Sequence, residues 1–342
     1  MKILVGMSGG VDSSYVAMKL IEAGHEVVGA HLIMHEYADI DAAESAAKML
    51  GISLVNIDCR ERFDRIVREN FISEYKMGRT PNPCVICNPT VKFFALAEYA
   101  REHGFDKIAT GHYARVELVE KSDTPHHMIA VARDISKDQS YMLYRLPEDI
   151  LSILMLPLGE ELKSDIRERV QESEFSSLDR RDSQEICFLP DGGYAEYIES
   201  CTGECPRGSF IDAEGRALGE HKGIIRYTVG QRKGLGISLG ERVFVTEIDP
   251  IANTVRLESA PRLAREVNIE DVVISLPDSH DAWEGRFDVK IRYAARPAPA
   301  TVSFNGKRAS ILFDEPQRSV TPGQSAVIYK EGRVIGGGII HR

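Results

Sequence analysis

Hydrophobic residues in the first hundred positions alternate between short continuous runs and runs at helical spacing. The run Ile3–Val5 predicts a buried parallel strand, and apolar positions between Ser14 and Gly24 recur on one helical face. The same alternation predicts further strands at 26–33, 53–57 and 107–110, and helices at 41–50, 61–76 and 91–103. Strands that alternate with helices indicate a doubly wound parallel sheet, with ligands bound at the carboxyl ends of its strands.

The pattern changes after about residue 205, where short β-rich runs are separated by turn residues. They predict β-barrel or β-sandwich modules and read GSFID, RVFVTEID, NTVRLES, RFDVKIRY, TVSF, RASILF and SAVIYK. A helical stretch from Ser140 to about Glu174 is predicted before them. The chain is therefore predicted to have three domains: an α/β nucleotide-binding domain at 1–187, a small middle domain at 188–262 and a C-terminal β-barrel at 263–342.

The first predicted strand runs directly into a glycine loop, SGGVDSS, from Ser8 to Ser14. Gly9 and Gly10 permit backbone conformations that a Cβ forbids. The helix that follows directs its backbone N–H groups and positive dipole end at the loop, which favours phosphate. The loop lacks the lysine of a Walker loop, so it is not that kind of site. For the glycines alone, an ordinary strand-to-helix turn is the alternative.

Composition and net charge limit the class of protein, its compartment and the partners that it can be expected to bind. The 342 residues are 43% hydrophobic and 27% charged, as in ordinary globular proteins. The net charge of −10 argues mildly against nucleic acid, although a local basic patch can lie on an acidic protein. No stretch resembles a secretory leader or membrane span, so the cytoplasm is the expected compartment and no membrane partner is expected. Thiols stay reduced there, which favours catalytic or metal-binding cysteines over disulfides.

Some of the six cysteines are candidates for chemistry. Cys84 and Cys87 form a C-x-x-C pair in a segment rich in Pro and Asn, which predicts a rigid loop just before a helix. Proximity to a helix N-terminus predicts a lowered thiol pKa. Cys187 lies in an apolar segment where Arg180 and Arg181 add positive potential, and a buried structural thiol is the alternative there. The remaining cysteines are interpreted as structural: Cys59, Cys201 and Cys205.

Several segments in one order along nearly the whole chain resemble the bacterial tRNA-specific 2-thiouridylase (MnmA) family of the PP-loop ATP pyrophosphatase superfamily. They read GMSGGVDSS, GRTPNPCVICN, ATGHYAR, SKDQSYMLYRL, DSQEICF, TVGQRKGLGI and TPGQSAV…GGGII. The resemblance implies an enzyme that replaces the 2-oxygen of the wobble uridine of tRNA with sulfur. In that reaction ATP adenylates the oxygen, a cysteine persulfide delivers sulfur and AMP leaves. It implies ATP and Mg²⁺ as cofactors, and tRNA and a cysteine desulfurase or sulfur-relay protein as partners.

The resemblance also implies roles for individual positions. Cys187 matches the cysteine that usually carries the persulfide, and Cys87 matches the one that forms a disulfide with it to release sulfur. Contacts with ATP are implied for Gly6, Met7, Ser8, Gly9, Gly10, Val11, Asp12, Ser13, Leu32 and Gly111, with Asp12 helping to hold magnesium. The tripeptide facing the target base is Asn82, Pro83 and Cys84. Contacts with tRNA are implied for His112, Lys137, Asp138, Gln139, Arg292, Tyr293 and Gln324. The resemblance further implies that the first domain, 1–187, is the PP-loop catalytic domain and that the central domain, 188–262, binds tRNA.

These tRNA positions have plainer interpretations when each is taken alone. Residues 137–139 equally suit a solvated turn, His112 suits a core histidine, and Arg292 with Tyr293 suits an edge strand. Only the ordered set of segments favours the functional interpretation.

This chain departs from the family pattern in two places. Most members carry Asp at the position of Cys84, where the carboxylate serves as general acid or base, and a thiol would need a tuned pKa to replace it. Three cysteines are then expected around one site: Cys84, Cys87 and Cys187. Persulfide chemistry is the preferred interpretation, and a 4Fe–4S cluster on the three thiolates is the alternative. The segment Met34–Asp41 is also shorter than usual, which affects the expected lid over ATP.

Two other classes of function remain open. One is a PP-loop enzyme that acts on a small molecule, which the acidic composition favours slightly. The other is a non-enzymatic module that binds a nucleotide and a metal. The C-terminal β modules favour tRNA modification, because a small-molecule ligase has no need of such a barrel.

Overall fold

A computed structural model describes residues 1–120, 125–171, 186–189, 193–275 and 282–341. The strands up to residue 171 are β1 (Lys2–Gly6), β2 (Glu26–Ile33), β3 (Leu54–Asp58), β4 (Lys107–Ala109), β5 (Arg115–Val119), β6 (His126–Ala130) and β7 (Leu154–Met155). The first sheet has the order β3-β2-β1-β4-β7, and every pairing in it is parallel.

Helices cover both faces of this sheet. They are α1 (Val11–Glu22), α2 (Ile40–Leu50), α3 (Arg60–Phe63), α4 (Glu69–Lys76), α5 (Pro83–Cys87), α6 (Phe93–Glu102), α7 (Glu148–Leu151) and α8 (Lys163–Gln171). Side chains alternate along β1, so Ile3 and Val5 pack with α1, α2 and α8, whereas Leu4 packs with α6 and α7. The predicted doubly wound parallel sheet is therefore confirmed.

The cysteine segment is helical, and the prediction of a loop there is wrong. The helix begins at Pro83, passes through a π-helical turn at Asn88–Lys92 and continues as α6. The side chain of Asn82 caps it, because its Oδ1 accepts a hydrogen bond from the N–H of Cys84 at 3.2 Å. Proline at the first helical position loses no hydrogen bond and is pre-set for helical φ, so the Asn-Pro pair starts a helix. A second π-helical turn, at Asp64–Arg68, joins α3 to α4.

The predicted helical stretch from Ser140 to about Glu174 is also wrong as a continuous element. It contains the edge strand β7, which pairs with β4, and two 3₁₀ turns at Ser140–Met142 and Pro157–Glu160. Pro147 and Pro157 interrupt helix propagation there. Residues 172–174 lie outside the described residues.

The middle sheet is built from β8 (Gly208–Ile211), β9 (Ala217–His221), β10 (Phe244–Asp249) and β11 (Thr254–Glu258), in the order β10-β11-β8-β9. The helix α9 (Tyr194–Thr202) precedes it. Phe188 and Tyr197 share one apolar cluster with Phe63 and Phe71, so this part of the chain packs against the first domain.

The C-terminal domain is a closed antiparallel barrel, as predicted. Its strands are β12 (Leu263–Ile274), β13 (Ala282–Lys290), β14 (Ala298–Asn305), β15 (Arg308–Arg318), β16 (Ser325–Lys330) and β17 (Arg333–Ile340). The order is β12-β15-β14-β13-β16-β17, and pairing between β12 and β17 closes the circle. The antiparallel pair β5–β6 extends this sheet where Ala130 pairs with Arg333. No prediction covered that pair.

The barrel also completes the core of the first domain. Val327, Tyr329 and Val334 belong to the same apolar cluster as Leu96 and Ile129. Tyr141 and Tyr144 are buried, and their hydroxyls hydrogen-bond with the carbonyl and hydroxyl oxygens of Ser325 at 2.9 and 3.2 Å. Among the described helices, none is long and apolar enough to cross a bilayer.

Candidate active site at the end of the parallel sheet

The glycine loop between β1 and α1 is held in one conformation. Gly9 has a φ of +77°, and a Cβ there would lie 2.5 Å from the backbone of Ala42, so only glycine fits. The N–H of Ser8 donates to Ser13 Oγ at 3.2 Å, and that hydroxyl donates to the carbonyl of Gly10 at 3.1 Å. No side chain caps α1 at Gly10, so its first backbone N–H groups are available to an anion.

The other proposed ATP contacts surround this loop. Met7 follows β1, and Leu32 lies near the end of the neighbouring strand β2. Gly111 lies on the opposite side, where an added Cβ would come 3.1 Å from the Cβ of Asp12 and 3.0 Å from the nitrogen of Ser13. The sheet therefore brings the ATP-site candidates to one carboxyl edge.

Asp12 is the centre of a hydrogen-bonded group that the sequence did not reveal. Its Oδ1 accepts from the hydroxyl of Tyr113 at 2.8 Å and from Nζ of Lys163 at 2.7 Å. Lys163 is only 5% exposed and begins α8, where its N–H donates to Oδ2 of Asp134 at 3.1 Å. Since both donors meet Oδ1, Oδ2 is the oxygen available to a cation. The glycine loop contains no lysine. This was the one feature of the sequence which indicated that a cation near Asp12 must come from another segment.

The residues present fit magnesium better than an iron–sulfur cluster. Magnesium is commonly held by one or two carboxylates together with substrate phosphates and water, which suits Asp12 beside a phosphate loop. A cluster needs several cysteines arranged as ligands. Among the described residues, which include Cys84, Cys87 and Cys187, no three His, Cys, Asp or Glu side chains are arranged to hold a metal ion.

The structure brings the three candidate cysteines together. Cys84 lies in the first turn of α5 and is half-buried, and Cys87 ends that helix, buried, with its Sγ 3.8 Å from Sδ of Met34. Cys187 is exposed, and ionisation of either Cys187 or Cys84 would raise the pKa of Cys87 further, so the three thiols lie close enough to interact. All six cysteines are free thiols. Of those interpreted as structural, Cys59 is buried, whereas Cys201 is exposed and contributes nothing to the core.

The prediction of a lowered thiol pKa is wrong. Burial raises the pKa of Cys84 and Cys187, and it raises the pKa of Cys87 to about 12. Cys187 is exposed at its surface, yet the surrounding protein still disfavours its thiolate. Desolvation therefore exceeds the attraction of the one-turn helix α5. The cation that opposes this rise at all three thiols is Lys92, which the sequence did not single out. Arg180 and Arg181 lie outside the described residues.

We expect Cys87 to react slowly with iodoacetamide in the native protein. A pKa of about 12 leaves roughly one thiolate in 10,000 at pH 8, because the thiolate fraction falls tenfold per unit below the pKa. Its labelling rate should rise about tenfold per pH unit between about pH 7 and 10, as followed by peptide mass spectrometry. The exposed Cys201 serves as the fast reference, and labelling in denaturant should remove the difference. Equal rates for Cys87 and Cys201 in the folded protein would contradict the burial argument.

His112 connects the glycine loop to the cysteines. It follows Gly111, which contacts Asp12 and Ser13. Its Nδ1 hydrogen-bonds with Thr110 Oγ1 at 2.8 Å, and burial, followed by the charge of Lys92, holds its pKa well below the ordinary value. Lys92 acts on the three thiols as well. One short segment therefore contacts the glycine loop, and one lysine acts both on that segment and on the three thiols.

The segment that follows barrel strand β13 approaches Cys84 through Tyr293. Tyr293 is 37% exposed, and burial followed by the charges of Asp138 and Cys84 raises its pKa. Nζ of Lys290 lies 5.6 Å from the centre of the Tyr293 ring. The guanidinium of Arg292 donates to the carbonyls of Arg318 and Ser319 at 2.8 and 2.9 Å.

Several of the predicted tRNA contacts have side chains that are engaged within the protein. The buried carboxylate of Asp138 accepts hydrogen bonds from the N–H of Ala132 and from Ser140. Oε1 of Gln139 accepts from the N–H of Tyr113 at 2.9 Å. Nε2 of Gln324 donates to the carbonyl of Thr80 at 2.8 Å. Lys137 is half-buried in the same turn as Asp138. Their roles in RNA binding stay predictions.

Comparison with known proteins decides the family. Models of a tRNA methyl transferase HUP domain, a tRNA methyl transferase PRC-barrel domain and an aminomethyltransferase β-barrel domain match residues 1–191, 195–258 and 266–340. The tRNA-specific 2-thiouridylases MnmA of Carboxydothermus hydrogenoformans, Clostridium perfringens and Clostridium botulinum are 41%, 41% and 42% identical to the chain. The alignments cover 100%, 99% and 99% of this chain and 98%, 98% and 97% of theirs. The chain belongs to the MnmA family. The resemblance identified from the sequence segments is confirmed, and this MnmA-family chain matches these relatives along nearly their whole length.

Proposed function

We propose that this MnmA-family protein catalyses the ATP-dependent 2-thiolation of the wobble uridine of tRNA, in the cytoplasm. The observation that carries the proposal is the junction at Gly111 and His112. Gly111 packs against the glycine loop, and the charge of Lys92 acts both on the neighbouring His112 and on the three cysteines. This supports a reaction in which one carbonyl is first adenylated and then attacked by sulfur.

The first step activates the base. The uridine 2-oxygen attacks the α-phosphorus of ATP, the bond to the β-phosphate breaks, and pyrophosphate leaves. The loop from Gly6 to Ser13 binds the phosphates through backbone N–H groups, and Lys163 offsets their charge as it holds Asp12. Magnesium held by Oδ2 of Asp12 would supply further neutralisation of the departing pyrophosphate.

The second step transfers sulfur. The terminal sulfur of a persulfide on Cys187 attacks C2 of the base, and AMP leaves with the original oxygen. Cys87 then attacks Sγ of Cys187, so a Cys87–Cys187 disulfide forms and the 2-thiouridine sulfur is released. The proton of Cys87 passes to AMP or water, and an external thiol reductant restores the two thiols. The exposure of Cys187 supports its assignment as the acceptor of donor sulfur, because Cys87 is buried.

Cys84 occupies the position facing the base together with Asn82 and Pro83. Burial raises its pKa, so the thiol is neutral near pH 7. A neutral S–H can donate a hydrogen bond to a base carbonyl, and it cannot accept a proton as a carboxylate would. We propose that Cys84 positions the uridine without acting as a base. The sulfur donor is a cysteine desulfurase or a sulfur-relay protein.

The test is pyrophosphate release with and without tRNA. We expect release to require a transcript with uridine at the wobble position, and 2-thiouridine to appear by mass spectrometry once a desulfurase and cysteine are added. The matched control transcript carries cytidine at that position and should not stimulate release. Release that is independent of tRNA would favour the small-molecule enzyme, and no release with any transcript would favour a non-enzymatic module.

A further inference from the structure

A π-helical turn sets the position of Lys92 relative to the cysteines. The turn Asn88–Lys92 contains Pro89, which lacks an N–H and whose ring would clash with the carbonyl four residues earlier in a regular α-helix. The helix continues because its hydrogen bonds close over five residues, as in the bond from the N–H of Phe93 to the carbonyl of Asn88. Single π turns of this kind occur frequently at functional sites.

The π turn places Lys92 on the same side of the helix as Cys87. An α-helix turns by about 100° per residue, so a residue five positions after Cys87 would lie about 140° around the helix axis from it. In a π turn the fifth residue lies nearly above the first. In agreement, the backbone N–H of Lys92 favours the thiolate of Cys87, and its ammonium opposes the effect of burial on the pKa of Cys84 and Cys187 as well.

The ammonium of Lys92 has no counter-ion within the protein. Its side chain is half-buried, and it forms neither an ion pair nor a hydrogen bond with any residue of the ranges that the structure describes. By contrast, Arg62, which also lies beside this helix, donates to the carbonyl of Thr90. A half-buried cation without a counter-ion is unfavourable, so an anion that forms beside it gains stability. The neighbouring groups that can become anions are the three thiols, because burial keeps His112 neutral through its lowered pKa.

We infer that Lys92 serves the sulfur-transfer step, in which its ammonium stabilises the anionic sulfur of Cys87 and of the persulfide on Cys187. The inference rests on the proposed function. Cys87 loses its proton to water or AMP, and its thiolate forms a bond to Sγ of Cys187 as the bond from that Sγ to the thiouridine sulfur breaks. The electron pair of the broken bond leaves with the thiouridine sulfur. The two cysteines are thereby oxidised to a disulfide, and the transferred sulfur is reduced.

Burial alone would leave too little thiolate for this step. The pKa of Cys87 is about 12 even with Lys92 present, and an opposite charge nearby commonly lowers a pKa by about 1–3. Loss of the lysine should therefore reduce the thiolate fraction further. A more basic thiolate is a better nucleophile, which recovers about half of that loss on a logarithmic scale. A rise of one in the pKa then slows the reaction by about threefold.

The first test measures thiol reactivity without ATP or tRNA. Wild type, Lys92→Met and Lys92→Arg react with dipyridyl disulfide, an uncharged reagent, between about pH 7 and 10, and peptide mass spectrometry reports the exposed Cys187. We expect Cys187 to react about 3- to 30-fold more slowly in Lys92→Met, and within about twofold of wild type in Lys92→Arg. The exposed Cys201 is the internal reference and should react alike in all proteins. Lys48→Met removes an exposed lysine in the last turn of α2, and this control should match wild type.

The second test follows sulfur transfer to tRNA in a single turnover. We expect Lys92→Met to lower 2-thiouridine formation by about 3- to 30-fold, more than it lowers pyrophosphate release that depends on tRNA, and Lys92→Arg to restore 2-thiouridine. An equal loss of both products would assign Lys92 to base activation and overturn the inference.

Two further outcomes separate the inference from the proposed function. Equal reactivity of Cys187 in wild type and Lys92→Met, or Lys92→Arg as slow as Lys92→Met, would overturn the role of the charge. Wild type that forms no 2-thiouridine would contradict the proposed function. The reagent rates need neither ATP nor tRNA, so they would still decide whether Lys92 stabilises the anionic sulfur.

Discussion

Cys187→Ser should abolish 2-thiolation of tRNA, by more than about 1,000-fold, because a serine hydroxyl cannot carry a persulfide. Pyrophosphate release that depends on tRNA should persist for the first turnover, since base activation precedes sulfur transfer. The measurement pairs single-turnover pyrophosphate release with mass spectrometry of digested tRNA. Cys201→Ser is the matched control, because Cys201 is also exposed but lies on α9. Full thiolation by the Cys187→Ser variant would remove Cys187 from the mechanism.

Wild type and Cys84→Asp together distinguish persulfide chemistry from an iron–sulfur cluster. With persulfide chemistry, protein purified in air is colourless and active, and Cys84→Asp stays active because it restores the carboxylate that the family resemblance implies at this position. With a cluster, wild type is inactive until iron and sulfide are supplied, and Cys84→Asp loses iron. We expect the first pattern, because the described residues do not present the three cysteines as a metal-ligand set. Iron content of wild type and Cys84→Asp, measured beside thiolation, decides.

Lys163→Met should lower the rate of pyrophosphate release by about 100- to 1,000-fold, the loss typical when one preorganised charge or donor is removed from a reaction centre. The variant loses both the cation that we propose offsets the phosphate charge and one of the donors that orient Asp12. Lys163→Arg, which keeps the charge, should recover part of the rate. If Lys163 served only in packing, Lys163→Arg would not recover the rate, and inhibition of Lys163→Met by added pyrophosphate would equal that of wild type. We expect pyrophosphate to inhibit Lys163→Met more weakly than wild type.

Lys19→Met is the matched control for Lys163→Met. Lys19 lies on α1 and pairs with Glu161, next to the start of α8, but it is much more exposed than Lys163. Exposed pairs contribute about 0–1 kcal/mol to stability, so this change should leave both the melting temperature and the rate near wild type. Equal rates for the two variants would show that Lys163 does not serve the ATP step.

The parts of the fold that local signals determine were predictable from the sequence. The strand β1, the glycine loop and α1 follow one another directly in the sequence. The spacing of apolar residues, the glycines of the loop and Gly24 after the helix were therefore sufficient to predict all three. The start of α5 was misread, although Asn82 and Pro83 are themselves a cap and a first helical residue. The short strand β7 was hidden because two residues carry no periodicity. The domain boundaries at 187 and 262 stay predictions.

The parts of the site that lie within one segment were predictable from the sequence. The contacts between residues of distant segments were not. Asp12 and Lys163 are separated by 151 positions, so no local pattern could pair them. The sign of the thiol pKa shift was missed for the same reason. A helix N-terminus is visible in the sequence, whereas the burial that outweighs it depends on tertiary packing, such as that of Met34 against Cys87.

The shared core of the first domain and the barrel has a consequence for biosynthesis. Tyr141 and Tyr144 pack against Val327 and Tyr329, which leave the ribosome nearly two hundred residues later. At about 5–20 residues per second, the nucleotide-binding domain would wait on the order of ten seconds or more with an apolar surface uncovered. We therefore expect a nascent chain released before β16 to be a chaperone client rather than an independently folded enzyme. Premature termination near the C-terminus would then remove the protein from the cell instead of leaving a partly active fragment.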